Sequence, residues 1–217
     1  MPGPNKGTVV TEGAYTFHHG DASTGRETWQ VMKLAHGGIV FSSRLEMTAP
    51  QAATLNYTFE VTQHWAPVSL TARFDAEGKT VTTEQRVADA QWQAHVEPRG
   101  GEAQDLALDF SPKHEISFAS PLILTAALYR LNLQVGQSRE VDGIAIDPTS
   151  FIPSAAKRTF SCAAEEKVEV PAGKYNTWQY KEGENQFWAD RNGVVLLYQS
   201  AAGDAIKLAR YRRIERR

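Results

Sequence analysis

The sequence predicts a mainly β protein, an antiparallel barrel or strongly curved sheet with one short helix across its concave face. Three observations support this fold class. Apolar and polar residues alternate through most of the chain, polar turns separate the alternating segments, and a single apolar run interrupts the pattern. Short strands at regular spacing are typical of barrels and curved antiparallel sheets.

Alternation begins near the N-terminus and defines one strand after another. In LNYTFEVTQHW, Leu55, Tyr57 and Phe59 point one way while Asn56 and Thr58 point the other. Because successive side chains of a strand lie on opposite faces, each such segment has one face suited to a core. The first half contains seven segments of this kind: AYTFHHG, ETWQVMK, GGIVFSSRLEM, LNYTFEVTQHW, SLTARFDAEGKTVTTEQRV, AQWQAHVE and DLALDF.

One segment lacks the alternation and predicts a helix. In SPLILTAALYRLNLQVGQ, Ser120 is suited to the N-cap and Pro121 to the first helical position. An apolar run from Leu122 to Leu133 follows, and Gly136 is expected to end it. Since the run is apolar on nearly all sides, we expect the helix to be buried against the sheet.

The chain then returns to strands separated by tight turns. EKVEVPAGKYNTWQYKEG and NQFWADRNGVVLLYQS each contain a turn between two strands, and Asn192-Gly193 is a favourable turn pair. DAIKLARYRRI is expected to complete the sheet. No linker or internal repeat divides the chain, so residues 1–217 are interpreted as a single β-rich domain, with residues 1–10 as a flexible N-terminal segment.

Composition excludes several classes of protein. A net charge of −2 gives no electrostatic reason to expect nucleic acid as a partner. The one cysteine, Cys162, excludes an intrachain disulfide and a cysteine-based zinc site, and no cofactor is predicted. No transmembrane run and no leader is visible, so we expect a cytoplasmic protein; the alternative is a mature periplasmic form whose leader has been removed.

The order of motifs in the second half resembles that of a bacterial protein family. The predicted helix is followed by EVPAGKYNTWQY and then by FWADRNGVVLLYQ, within residues 120–211. This succession is similar to that of proteins of the DUF3108 type and related glycolipid-binding families. The resemblance implies a single antiparallel sheet curled into a half-barrel or spiral β-roll, with one short helix against its inner face. It also implies binding of lipid-like or other apolar molecules, and it supplies no catalytic residues.

The adjacent histidines in YTFHHGD raise the question of a metal or catalytic site. On a strand His18 and His19 must point to opposite faces, so they cannot bind one ion together. His19 shares its side with Tyr15 and Phe17 and is therefore the candidate for the interior. The other histidines lie on polar faces or in turns, and no metal site is predicted.

Catalytic motifs of well-known enzyme classes are missing from the sequence. There is no Gly-x-Ser-x-Gly elbow, and the glycines of HGGIV and EPRGGE form turns without a following helix, so they do not indicate a phosphate-binding loop. Arg44 and Arg73 lie in the middle of strands, where an inward guanidinium could hold a carboxylate or phosphate, but alternation leaves their face open.

Aromatic residues on the apolar faces give the strongest functional signal. About ten strands curled around one helix enclose more space than the helix fills, which predicts a mainly apolar pocket. The imidazole, phenol and indole of His19, Tyr57 and Trp92 could supply its polar atoms. The candidate ligand-binding residues are His19, Tyr57, Trp65, Trp92, Phe118, Leu124, Leu128 and Tyr129.

These residues predict binding of an apolar or amphipathic, lipid-like small molecule in a cavity between the curved sheet and the helix. An enzyme is the alternative: an isomerase, cyclase or hydrolase could use the same cavity, with a buried His19 as its acid–base group. A third interpretation is that the cavity is only the core of a structural or interaction protein. Ligand identity and oligomeric state stay open.

Overall fold

A computed structural model describes residues 7–214 of the 217-residue chain. Fifteen strands form one sheet in the order β8-β7-β6-β5-β4-β3-β2-β1-β15-β14-β13-β12-β11-β10-β9, and one helix, α1, spans Pro121–Leu131. The strands are β1 Gly7–His19, β2 Ala22–Leu34, β3 Ile39–Met47, β4 Ala53–Val61, β5 Pro67–Ala76, β6 Lys79–Ala88, β7 Gln91–Pro98, β8 Gln104–Asp109, β9 Glu115–Ser117, β10 Ser138–Ile146, β11 Pro153–Val170, β12 Gly173–Glu182, β13 Asn185–Ala189, β14 Val195–Gln199 and β15 Asp204–Arg213.

Two runs of sequential hairpins make up this sheet and meet where β1 pairs with β15. The first run is β1 to β8 and the second β10 to β15, and the sheet curls far enough to bring β8 near β11. The predicted mainly β fold with one short helix and a single curled sheet is confirmed. One pairing departs from the prediction: the short strand β9 runs parallel to β10, because α1 lies between them in the chain.

Strand β1 starts earlier than the sequence suggested. Residues 7–10 belong to β1, where Gly7 pairs with Leu34 and Val9 with Met32. A flexible segment was expected over residues 1–10, but residues 7–10 belong to a strand. Residues 1–6 lie outside the described part of the chain.

Helix α1 begins as predicted and ends about one turn early. The hydroxyl of Ser120 accepts a hydrogen bond from the backbone N–H of Leu122, and Pro121 opens the helix. At the C-terminal end Asn132 adopts the left-handed conformation and its N–H binds the carbonyl of Leu128. Gly136, expected to end the helix, lies in the turn that follows, with φ of 84°.

The core lies between α1 and the concave face of the sheet, in two clusters. Leu122, Ile123 and Ala126 of α1 pack into the larger cluster, beside the aromatic side chains of β1 to β5. Leu124 and Leu128 face the other way, toward Phe160 and its neighbours on β11 to β13. Each buried large apolar side chain contributes about 1.5–3 kcal/mol to folding, so the helix holds the two runs of strands around itself.

Within residues 7–214 no helix has the length and apolar character needed to cross a membrane.

Candidate functional site

An opening lies beside the middle and the C-terminal half of α1, where β1 and β3 begin and β2 and β15 end. We call it the aromatic mouth. It encloses about 340 Å³, and the residues around it include Val31, Lys33, Ile39, Phe41, Trp65, Thr125, Tyr129, Val194, Tyr211 and Arg213. This volume lies near the low end of the range for small-molecule sites.

One side of the aromatic mouth is formed by two stacked rings. Trp65 of the β4–β5 turn and Tyr129 of α1 lie parallel, with centroids 4.1 Å apart and an angle of 4° between the planes. Tyr129 keeps 40% of its surface exposed, although it belongs to a largely buried helix. An exposed large aromatic beside an apolar cavity is typical of a ligand-binding rim.

The β4–β5 turn holds Trp65 in a costly conformation. Its φ is +65°, a left-handed value that is unusual for a bulky side chain. The turn compensates with hydrogen bonds: Trp65 N–H donates to the carbonyl of Thr62, and the Thr62 hydroxyl accepts from the N–H groups of His64 and Ala66. The turn therefore fixes the indole against Tyr129.

The β13–β14 turn also packs against Tyr129. A Cβ on Gly193, whose φ is +69°, would lie 3.1 Å from the Tyr129 ring and 3.3 Å from the Thr125 carbonyl. The carboxylate of Asp190 accepts hydrogen bonds from the backbone N–H groups of Asn192 and Val194. The missing side chain at Gly193 thus lets this turn pack closely on the helix.

Charge at the aromatic mouth comes from Lys33 and Arg213, the two ionised side chains that line it. Two phenols lie beside them. Burial raises the pKa of Tyr211 to about 12, and Asp190 acts in the same direction while Arg213 opposes it. Burial and Asp190 also raise the pKa of Tyr129, so both phenols are neutral hydrogen-bond donors at physiological pH.

Thr125 supplies a polar atom deeper in the aromatic mouth. Its side chain is 4% exposed, and its hydroxyl has no hydrogen-bond partner among the described residues. Buried hydroxyl groups are nearly always paired, since an unpaired one costs about 1–3 kcal/mol. The Thr125 oxygen is itself buried, so it is an unpaired polar atom just behind the wall of the cavity.

The other end of the helix, which we call the Ser120 end, holds a fully buried carboxylate. Glu27 accepts hydrogen bonds from the hydroxyls of Ser43 at 2.5 Å, Tyr57 at 3.0 Å and Ser120 at 2.7 Å. Desolvation raises its pKa above the ordinary value, and the hydrogen bonds from Ser43, Ser120 and Tyr57 oppose that rise. Because Ser120 is also the N-cap, Glu27 connects β2, β3 and β4 to the start of α1.

Two further carboxylates lie beside arginines: Glu115, which is buried and faces Arg130 in the last turn of α1, and Glu182, which is partly buried. Glu115 lies 3.5 Å from the Arg130 guanidinium, yet desolvation outweighs Arg130 and Arg158 and raises the pKa of Glu115 to about 7. Arg158 forms a two-pronged pair with Glu182, although its Nη1 has no partner among the described residues. A small cavity of about 250 Å³ lies between this pair and Ser120.

The opposite face of the sheet carries a larger but polar hollow of about 630 Å³ across β1 to β7. Side chains such as Thr28, Asn56 and Thr58 line it, together with arginines that already have partners: Arg44 binds Glu46 and Arg73 binds Asp75. Alternation alone did not assign Arg44 and Arg73 to a face of the sheet, and the structure places both on the polar face. Such a surface resembles the solvated face of an ordinary antiparallel sheet.

The predicted binding residues divide between these regions. Trp65 and Tyr129 meet at the aromatic mouth, whereas Tyr57 and Phe118 meet edge to face, 5.4 Å apart, near the Ser120 end. Trp92 is fully buried and its indole donates to Gln85 at 2.7 Å. Leu124 and Leu128 belong to the second core cluster. Ligand contact by any of these side chains stays a prediction.

His19 is not in the interior, which corrects the sequence-based expectation. Its side chain is 67% exposed and pairs with Asp204 at 2.9 Å. It does share a face with Phe17, but β1 continues past the edge of the core before the turn at Gly20. No set of three or more His, Cys, Asp or Glu side chains within residues 7–214 is arranged to hold a metal ion.

Sequence reasoning missed four residues that define these regions: Glu27, Lys33, Thr125 and Arg213. The sequence contains a signal for Glu27, because Glu27 lies on the same face of the strand as Trp29 and Val31 in ETWQVMK. A charged residue on the apolar side of a strand indicates either a buried polar centre or the end of the core. Thr125 is one of the few polar residues of an otherwise apolar run, which is a weaker signal.

Together, a curled sheet, a helix inside it and an aromatic opening are features of small-molecule binding proteins. Residues 18–203 match the family described as "Putative glycolipid-binding", and the chain belongs to that family. The match includes most of the first half, beyond the segment that carried the resemblance. The finer resemblance to the DUF3108 type stays a prediction. No curated protein matches the chain.

Two solved structures share the fold. One is the crystal structure of a beta-barrel-like protein of the DUF1849 domain of unknown function from Brucella abortus, with a TM-score of 0.65 and 12% identity over 95% of this chain and 98% of that one. The other is a DUF1089 family protein from Pseudomonas aeruginosa, with a TM-score of 0.54 and 16% identity over 83% of this chain and 92% of that one. At these identities they show the fold alone.

Proposed function

We propose that this protein binds an amphipathic, lipid-like small molecule at the aromatic mouth. The main observation in support of this proposal is the stacked pair of Trp65 and partly exposed Tyr129 beside a cavity of about 340 Å³. An apolar chain would enter between Val31, Phe41 and Val194, and its polar group would stay at the rim. The family description supports a ligand of glycolipid type.

Burial of the chain supplies the binding energy in this proposal. Each buried methylene contributes about 0.8 kcal/mol, which corresponds to roughly a fourfold gain in affinity. The gain stops when the chain fills the cavity, so a short single chain is a better match to this volume than a ligand with several long chains.

The test is a titration with neutral alkyl glucosides of increasing chain length, kept below their micellar concentrations and followed by calorimetry. We expect saturable 1:1 binding that tightens about fourfold per methylene and then levels off. Trp65→Ala should weaken binding about tenfold or more, as loss of a central aromatic contact does. Trp178→Ala is the matched control, since Trp178 lies on β12 and does not line the mouth. Absence of saturable binding, or equal losses in both variants, would reject the proposal.

The enzyme alternative lacks a specific observation in its favour. It requires a buried histidine as acid–base group, but His19 is exposed, and none of the six histidines, all within the described residues, is buried or lines the mouth. Binding is therefore the function that the geometry supports best.

A further inference from the structure

Two cations occupy the last inward positions of the strands that frame the aromatic mouth. On β2 the inward side chains run Glu27, Trp29, Val31 and then Lys33. The first three are buried and Lys33 is exposed, so the apolar face of β2 ends in a positive charge. An amphipathic side chain there buries its stem and keeps its ammonium group at the rim.

Arg213 reaches the same rim because of a β-bulge in β15. Tyr15 pairs with Leu208 but Ala14 pairs with Arg210, so Ala209 is an extra residue. One extra residue reverses which side chains face inward. Leu208 faces the core before the bulge, and Tyr211 and Arg213 line the mouth after it.

Lys33 and Arg213 lie on the two strands that flank β1. Lys33 pairs with Thr8 and Arg213 with Thr11. These two partners are three residues apart on β1, or roughly 10 Å along the strand. Side chains as long as those of lysine and arginine can converge over such a span on one small anionic group.

Neither cation has an anionic partner in the part of the chain that the structure describes. The adjacent Arg212 behaves differently, since it points to the other face and pairs with Glu12 at 3.2 Å. Asp190 is the acid whose charge reaches the phenols of Tyr129 and Tyr211, but its carboxylate accepts the backbone hydrogen bonds of the β13–β14 turn. Within residues 7–214, Lys33 and Arg213 thus have no carboxylate partner at the mouth.

We propose that the rim of the aromatic mouth is a subsite for an anionic headgroup, held by Lys33 and Arg213. This inference rests on the proposed function, because the apolar chain of the same ligand fills the cavity below. The ligand class is then a single-chain amphiphile that ends in a phosphate, sulfate or carboxylate. Exposed charges of this kind each strengthen binding by roughly 1.4-fold to fivefold and are screened by salt.

The experiment compares headgroups on one decyl chain: decyl phosphate, decyl sulfate and decanoate, with decyl glucoside as the neutral reference and decylphosphocholine as the zwitterionic one. Calorimetry is run at about 0.05 M and 0.5 M salt. We expect at least one anionic ligand to bind several-fold to about tenfold more tightly than decyl glucoside at low salt, and this advantage to shrink at high salt. The order among the three anions identifies the group that the rim prefers.

Charge-removing variants assign the effect to its residues. Lys33→Gln/Arg213→Gln should remove the anionic advantage, measured as the ratio of the affinities of the same variant for the anionic ligand and for decyl glucoside. Lys181→Gln/Arg139→Gln is the matched control, because both side chains are exposed on the other run of strands and neither lines the mouth.

The outcomes separate the two proposals. Equal binding of neutral and anionic ligands would overturn the headgroup subsite and leave the apolar binding function intact. An anionic advantage that survives Lys33→Gln/Arg213→Gln would also overturn it, since the charge would act elsewhere. Failure of every decyl ligand to bind would reject both proposals.

Discussion

The two ends of α1 contact the same curled sheet but differ in how many of their polar side chains are paired. At the Ser120 end, Glu27 is surrounded by donors from three strands and the helix N-cap, and Arg158 is paired with Glu182. Arg158 Nη1 is the exception there, since it has no partner in the described chain. At the aromatic mouth three polar groups lack partners among the described residues: the hydroxyl of Thr125 is unpaired, and no carboxylate meets Lys33 or Arg213.

The hydrogen bonds and ion pairs of the polar side chains predict which end of α1 stabilises the fold and which end binds a ligand. A buried polar group that is fully hydrogen-bonded fixes the geometry of the chain, and one left unpaired lowers the stability of the ligand-free protein. We therefore expect substitutions at the Ser120 end to change mainly the free energy of unfolding. Substitutions at the mouth should change mainly ligand affinity.

The largest expected effect is that of Glu27→Ala. The substitution leaves the hydroxyls of Ser43, Tyr57 and Ser120 without their acceptor and opens a cavity, which should lower the free energy of unfolding by about 3–5 kcal/mol. Urea denaturation measures it. Glu84→Ala on the exposed outer face serves as control and should change this free energy by less than about 0.5 kcal/mol. An unchanged or higher stability would mean that Glu27 is retained for something other than structure.

A smaller effect concerns the pH dependence of stability, which comes from the buried carboxyl of Glu115. The pKa of Glu115 is about 7 in the folded protein, above its ordinary value of 4.5, because burial disfavours the charged form. The folded state therefore holds this proton over a pH range in which the unfolded state has released it. Stability from this group is present below pH 4.5 and is lost as the pH rises through about 7.

Glu115→Gln isolates that contribution. Between about pH 4.5 and pH 7.5 the native protein should lose about 2–3 kcal/mol of unfolding free energy relative to the variant. Chemical denaturation at several pH values measures the difference between the two curves. Parallel curves would show that Glu115 titrates normally and that Arg130 fully compensates its burial.

The smallest effect has the opposite sign and lies at the mouth. Thr125→Val keeps the shape of the side chain and removes an unpaired hydroxyl, so the ligand-free protein should gain about 1 kcal/mol of stability. Calorimetric unfolding measures the gain, and the alkyl glucoside titration shows whether affinity falls at the same time. Loss of stability would mean that the hydroxyl is paired in the free protein, and the contrast between the two ends would fail.

Alternation along the strands predicted most of the architecture, since side chains on one face of a strand must share one environment. It placed Tyr57, Phe59 and Trp92 in the core. The break in alternation indicated the helix that Ser120 caps. Alternation gives a face but not the extent of the core along it. This is why His19, on the same face as Phe17, was expected inside although the strand has already left the core there.

The site was harder to predict than the fold because it depends on where distant segments meet. Trp65 and Tyr129 were both candidates, but their stacking needs the left-handed turn at Trp65. The inward position of Arg213 depends on the bulge at Ala209, which reverses the parity of the end of β15. Neither irregularity leaves a clear mark in the hydrophobic pattern, so Lys33 and Arg213 could not be brought together from sequence.

The most direct test of the mouth as binding site uses the five tryptophans as reporters. In protein labelled with ¹⁵N-tryptophan, the indole N–H signals can be followed by NMR during titration with decyl glucoside. We predict that the signal of Trp65, assigned with Trp65→Phe, shifts saturably and more than those of Trp92, Trp178 and Trp188. A larger shift at one of those three, or binding without a shift at Trp65, would contradict the account.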